Sequence, residues 1–256
     1  MTVQLLNGDC IRLMKTLPDK SVDCFVCDLP YGQLSKEKGA CAWDVKIDLQ
    51  EFWEQVDRLK KEDHTPIIHF CNTRFGYELI SSNPKWFRYD IVWDKGHGVN
   101  FLLANKMPMK SHEMIYVFSK KGSYYKRVDE QTGRPAYKWC RKKPYINKCY
   151  NIERPTLTGD EASDNGMRCS LSVLKHGSYA GTVGESPHPT AKPVGVYQWI
   201  LERYCPEGGT VLDPTAGSFN SIEAARDLGL NGIGIEKDEK FYKAAVARLG
   251  EIISHT

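Results

Sequence analysis

Across 256 residues the chain has no apolar stretch approaching the roughly 20 residues that a membrane span needs, so no membrane partner is expected. Cys24 and Cys27 form a Cys-x-x-Cys pair, but there is no second such pair and no His-x-His cluster at zinc spacing. That argues against the common structural zinc sites, and no metal is expected. The nine cysteines are odd in number and the first residues show no secretory pattern, so free thiols in a reducing compartment, the cytoplasm, are expected. The chain also lacks Gly-x-Gly-x-x-Gly, and its glycine turn after a strand comes late, which disfavours a nicotinamide-dependent enzyme. Internal repeats and low-complexity tracts are absent as well.

What is present is ordinary in bulk. Hydrophobic residues make up 41% and charged residues 26%, the proportions of a soluble globular protein with one sizeable core and room for a lesser subdomain. The net charge of +3 is unevenly spread. Lys120, Lys121, Lys126, Arg127, Arg134, Lys138, Arg141, Lys142, Lys143 and Lys148 fall in one stretch whose only acids are Asp129 and Glu130. Tyr124, Tyr125, Tyr137, Trp139, Tyr145 and Tyr150 are interleaved among them. Concentrated cations point to a polyanionic partner, and rings among cations can stack as well as support phosphate contacts.

Short apolar runs alternate with helical patterns from residue 3 to about 118. Strands are predicted over residues 3–6, 22–27 and 66–70, and helices near 10–17 and 49–61. Residues 89–93 and 114–118 read as a strand pair separated by an excursion over 94–113. The rhythm stops from 119 to about 187. It returns with a helix over 194–204, a strand over 210–212, a helix over 222–228, a strand over 232–235 and a helix over 238–249. Such alternation predicts an α/β fold with a doubly wound, mostly parallel sheet.

The strand over 22–27 runs into Asp28-Leu29-Pro30-Tyr31, an acid, a kinked apolar pair and a ring where α/β enzymes place chemistry. A carboxylate and a backbone carbonyl there can accept both hydrogens of an amino group on a planar ring while the tyrosine stacks on its face. Near the other end, the strand over 210–212 leads through Asp213-Pro214-Thr215-Ala216-Gly217-Ser218 into a helix, a geometry that sets an anionic group against free helical N–H groups. The next strand ends in Glu236, an acid at the spacing that suits the two hydroxyls of a ribose. Turn and acid together predict a nucleoside cofactor with an anionic or zwitterionic tail. The plainer alternatives are that Asp213 caps the turn and Glu236 is a solvated strand end.

These blocks resemble those of the amino-methyltransferase family that methylates exocyclic amines of DNA bases with S-adenosyl-L-methionine. Asp28-Leu29-Pro30-Tyr31 resembles its catalytic Asp-Pro-Pro-Tyr, and Asp213 through Ser218 its Asp-Pro-Phe-x-Gly-Ser turn. His188-Pro189-Thr190-Ala191-Lys192-Pro193 resembles its His-Pro-Thr-x-Lys-Pro block. Gly234-Ile235-Glu236 resembles its ribose-binding strand end, and Asn7-Gly8-Asp9-Cys10 the N-terminal block that contacts the cofactor's adenine. With the catalytic block first and the cofactor loop last, the order resembles the permuted β group, which implies a Rossmann-like fold. Residues 1–118 and 188–256 would form the catalytic and cofactor-binding domain, with target recognition in an insertion over 119–187. Two positions depart from the pattern. Leu29 replaces the first proline but keeps the needed carbonyl, and Pro30 still biases it toward an extended conformation. Phe219 replaces a glycine, with Asn220 for a threonine, where bulk would either crowd the cofactor's methionine end or repack the turn.

The resemblance implies direct methyl transfer to a base flipped out of double-stranded DNA, with no covalent enzyme intermediate. Asp28, Leu29, Pro30 and Tyr31 would carry the chemistry. Asp9, Cys10, Asp28, His188, Lys192, Asp213, Pro214, Thr215, Ala216, Gly217, Ser218, Asn220 and Glu236 would hold the cofactor, and Lys138, Arg141, Lys142 and Lys143 would contact DNA. Aspartate at the first position favours adenine N6 in the resembling family, where serine is more typical of cytosine N4. Cytosine N4 or RNA-base methylation and a DNA-binding protein with a disabled methyltransferase fold stand as alternatives. A homodimer, a companion restriction endonuclease, and action at the nucleoid of a bacterial or phage-infected cell are compatible with the group.

Overall fold

Local signals account for most elements of the computed structural model, which describes residues 1–32, 45–131, 143–156, 167–177 and 191–250. The first half holds β1 (Val3–Asn7), α1 (Cys10–Met14), β2 (Cys24–Cys27), α2 (Leu49–Leu59), β3 (Ile67–Cys71), α3 (Thr73–Ser82), β4 (Phe87–Val99) and β5 (Lys110–Phe118). Four short strands follow, β6 (Asp129–Gln131), β7 (Tyr145–Asn147), β8 (Ile152–Arg154) and β9 (Met167–Cys169), and then β10 (Val173–Lys175). The C-terminal part holds α4 (Val194–Tyr204), β11 (Thr210–Asp213), α5 (Asn220–Asp227), β12 (Asn231–Glu236) and α6 (Glu239–Leu249). Asp9, Asp48, Asn72 and Asp238 start α1, α2, α3 and α6 by accepting hydrogen bonds from first-turn amides, groups that a helix cannot satisfy internally.

Eight strands form one sheet in the order β1-β12-β11-β2-β3-β5-β4-β10, and β5 alone among them runs against the rest. Its strands alternate their side chains between two helical layers. Phe25 and Cys27 of β2 face Met14, Phe52, Val56 and Leu79 of α1 to α3. Cys24 and Val26 face Val196, Ile200 and Tyr204 of α4 and Ala224 of α5. Because it is covered on both sides, β2 reads as an unbroken apolar run. The same alternation puts Cys24 and Cys27 in opposite layers, so the pair cannot share a metal ion. Each large apolar side chain buried this way contributes about 1.5–3 kcal/mol.

Residues 127–171 form a second compact unit, with β6 paired to β9 and β7 to β8; the remaining described residues form the first. Its limits fall inside the 119–187 stretch, since residues 119–126 belong to the first unit and β10 extends the main sheet beside β4. None of the described helices is long and apolar enough to cross a membrane.

The structure departs from expectation at three elements. Half of the excursion over 94–113 is ribbon: β4 runs on to Val99 and β5 begins at Lys110, with an irregularity between Asp94 and Val99. Most residues of that ribbon are half-buried rather than alternately buried and exposed, so no alternation marks it. Helix α3 was hidden by Gly76, which is there because a Cβ would stand 2.5 Å from the Tyr116 ring of β5. Strand β10 is three residues long, too short to show a period.

Candidate active site

From β2 the chain proceeds to its neighbour β3 on one side, while from β11 it proceeds through α5 to β12 on the other. β2 and β11 are themselves adjacent and parallel, so the direction of winding reverses between them. Ligands of open α/β sheets bind in the crevice beyond the carboxyl ends of strands at such a reversal. Asp28 follows the last residue of β2 and Asp213 is the last residue of β11.

Asp28 is held from two sides. The Tyr31 hydroxyl donates to its Oδ1 at 3.0 Å, and the Lys192 ammonium contacts its Oδ2. The Tyr31 ring lies 4.9 Å from that of Phe75, nearly parallel to it, and Phe75 is fixed where its amide meets the Asn72 cap of α3. Burial and the neighbouring Asp28 charge push the Tyr31 phenol well up, so it stays a donor. Lys192 is buried over the Phe70 ring and stands 3.7 Å from Glu113 Oε2, while Lys95 contacts Glu113 Oε1. Burial opposes the charges on Lys192 and Glu113, but their partners outweigh it. Asp28 and Glu113 raise the Lys192 pKa, and Lys192 and Lys95 lower that of Glu113. A buried lysine between two carboxylates stays ionised because removal of either charge would leave its partner unpaired.

On the facing strand, Asp213 accepts from the Thr215 amide at 3.0 Å and from the Ser221 hydroxyl, so it caps the turn. Burial nevertheless pushes its pKa up to about 7. Gly217, at φ +52, donates its amide to Glu236 Oε2 at 2.8 Å, and the Asp238 amide reaches Oε1 at 2.7 Å. Glu236 thereby ties the turn to the end of β12, and burial raises its pKa. Gly8 and Asn7 both donate to the Glu236 carbonyl, which brings the Asn7–Cys10 block alongside. Within that block Asp9 caps α1 and Cys10 is buried, its thiol pushed up to about 12 by burial and by Asp9. Thr215 Oγ1 is a buried hydroxyl with no hydrogen-bond partner among the described residues.

Phe219 does not stand in the crevice. It is wholly buried at φ +58, with its ring against Gly234 and near Tyr242, so it repacks the turn. Asn220 spends its amide on the Lys192 carbonyl and on Arg248, and Pro214, Ala216 and Ser218 are buried in the turn. The Leu29 side chain is in the core. His188 lies outside the described residues, as do Lys138, Arg141 and Lys142; Lys143 is exposed. Four other cations of the basic stretch are paired, Lys120 with Asp57, Lys121 with Asp63, Lys126 with Glu207 and Arg127 with Asp129, so its free charge is smaller than the composition implied. Glu113 and Lys95 went unassigned in the sequence. Their one signal was an acid immediately ahead of a buried run, at Glu113-Met114-Ile115.

Residues 22–247 match the family model of DNA methylases of the N6/N4 type. The Type II methyltransferase M.HinfI of Haemophilus influenzae is 25% identical over 97% of this chain and 68% of its own length. Among solved structures, the cytosine-N4-specific PvuII DNA methyltransferase superposes with a TM-score of 0.65 at 14% identity, covering 99% of this chain and 89% of that one. The M1.HpyAVI–SAM complex does so with a TM-score of 0.61 at 18% identity, covering 97% and 99%. The matched region takes in β2 with Asp28, the turn from Asp213 to Ser218 and the end of β12, and the chain belongs to the N6/N4 family of S-adenosylmethionine-dependent DNA methyltransferases.

Proposed function

We propose that the protein methylates N6 of adenine in double-stranded DNA. The observation that carries this reading is the Asp28 carboxylate at the switch point, fixed by Tyr31 and Lys192 yet with a lone pair left on each oxygen for an incoming amine. The choice of adenine over cytosine rests on aspartate rather than serine at this position. The PvuII enzyme at 14% identity shares the fold, which both chemistries use.

When bound, S-adenosylmethionine supplies a methyl group on a positively charged sulfur. The residues present fit such a group. Thr215 offers a buried hydroxyl with no partner among the described residues, and Glu236 a strand-end carboxylate. Asp9 and Cys10, the turn from Asp213 to Ser218, and Glu236 would hold it. Asp28 and the Leu29 carbonyl accept the amine hydrogens, turn the nitrogen lone pair toward the methyl and stabilise the positive charge that grows there. In-line placement supplies much of the rate. Tyr31, backed by Phe75, stacks on the extruded ring, and Lys192 holds the Asp28 carboxylate in place. Target recognition is assigned to the 119–187 stretch.

Expression in a methylation-free host, followed by nucleoside analysis and modification-sensitive sequencing of its DNA, tests the reading and yields the recognition site. N6-methyladenine is expected. N4-methylcytosine would replace the base assignment, and unmodified DNA despite retained DNA binding would favour a disabled enzyme.

A further inference from the structure

We infer that the tip of the β4–β5 ribbon is a wedge that enters the base stack where the target nucleotide leaves it, an inference resting on the methyltransferase reading above. Every residue from 101 to 109 is exposed, and five of them are large and apolar: Phe101 at 71%, Leu102 at 86%, Leu103, Met107 and Met109. A soluble protein rarely displays such a cluster without a partner for it. Between Asp94 and Glu113 the titratable side chains are Lys95, His97, Lys106, Lys110 and His112, with no acid, so the apolar tip is framed by groups that suit a polyanion.

The tip is preshaped. Asn100 turns the chain at φ +69, and amides of Leu103, Ala104, Lys106 and Met107 close successive tight turns at 2.8–3.0 Å. Gly98 leaves room for Met109 to cross the ribbon, since a Cβ there would stand 2.8 Å from the methionine Cβ. Little order remains to be imposed when such a tip inserts. It also rises from the catalytic edge. Glu113 contacts Lys192, which contacts Asp28, and β5 begins three residues before Glu113, so at roughly 3.3 Å per residue the tip starts about 10 Å along the strand from Glu113. An extruded base leaves an opened step in the duplex, and apolar side chains such as phenylalanine and leucine fill opened steps. Phe101 and Leu102 fill this one.

The test compares wild type with Phe101→Ser/Leu102→Ser on a duplex carrying the recognition site found by sequencing, with the target base either paired or mispaired. A mispaired base is already half released, so the wedge matters less. The variant is expected to lose tenfold or more in kcat/KM on the paired duplex and to recover to within threefold of wild type on the mispaired one. Phe101→Trp should keep paired-duplex activity. A smaller loss, or an equal loss on both duplexes, overturns the wedge. So does a sedimentation shift from dimer to monomer with paired-duplex methylation intact, which assigns the tip to a second copy. If wild type methylates no DNA, the reading beneath the wedge fails with it; failure of the wedge alone leaves wild-type methylation in place.

Discussion

The imidazole of His69 in β3 lies among the rings of Phe52, Trp53 and Phe118, with centroids 5.5, 5.5 and 5.6 Å away, and neither ring nitrogen has a hydrogen-bond partner among the described residues. Burial holds its pKa at about 3, against 6.5 when exposed. Between those values the unfolded chain binds the extra proton, so this residue makes stability rise with pH up to about 6.5. Asp213 acts oppositely. Its pKa of about 7 in the fold against 3.8 outside it makes stability fall as pH rises through that window. From pH 5 to 6.5 the two oppose each other, so urea midpoints of the cofactor-free protein should change less there than Asp213 alone would make them. His69→Leu removes one side of the balance, and the variant should lose about 2 kcal/mol between pH 5 and 6.5; a flat profile would contradict these assignments. Asp28, in the role proposed for it, predicts differently. Asp28→Ala should cut methyl transfer by about 10³-fold while calorimetry finds cofactor binding nearly intact, and turnover near wild type would remove Asp28 from the chemistry. Asp28 was legible because a lone acid at the end of an apolar strand stands out. The Lys192–Glu113 contact was not, since it joins a residue before α4 to one at the start of β5, and no local pattern encodes that meeting.

At the scale of elements, the approach of α5 to β12 depends on one exchange of volume. Gly234 has no side chain, and the Phe219 ring occupies the vacancy: a Cβ on Gly234 would meet Phe219 Cδ1 at 2.6 Å and Ile222 Cγ1 at 2.7 Å. Gly234→Ala should therefore cost about 2 kcal/mol by overpacking. Phe219→Gly relieves a left-handed backbone but opens a cavity, for a net loss of about 2–3 kcal/mol. Combined, the two should cost less than their sum by more than about 1 kcal/mol in denaturant unfolding, and strict additivity would show that they do not share this space. Elements with both a period and a cap, such as α2 and α6, were legible within a few residues. The parallel strands β2, β3 and β11 were legible because burial on both faces makes them continuous apolar runs. What escaped was set by tertiary contact alone: Gly76 admitting α3 to the sheet, the solvated reach of β4 and β5, and the three-residue edge β10.

For the whole molecule, charge is the property to test. If Arg141, Lys142 and Lys143 each neutralise a phosphate, replacing all three by alanine should make the log–log dependence of duplex affinity on salt shallower by about 2.7, and an unchanged slope removes them from the interface. Lys120 and Lys121 already face Asp57 and Asp63, so their replacement should leave the slope as it was. Winding order has an effect of another kind, in time. Val3 of β1 pairs with Gly232 and Cys24 of β2 with Val211, so two early strands lack these neighbours until nearly the whole chain exists. At about 5–20 residues per second on the ribosome, that interval lasts about ten to fifty seconds. Throughout it β2 carries an open apolar edge, the kind of surface that chaperones cover and that aggregates form on. Under the proposed function a growing chain carries Asp28 and Tyr31 long before it can use them, because Lys192, the turn from Asp213 to Ser218 and Glu236 all arrive in its last third.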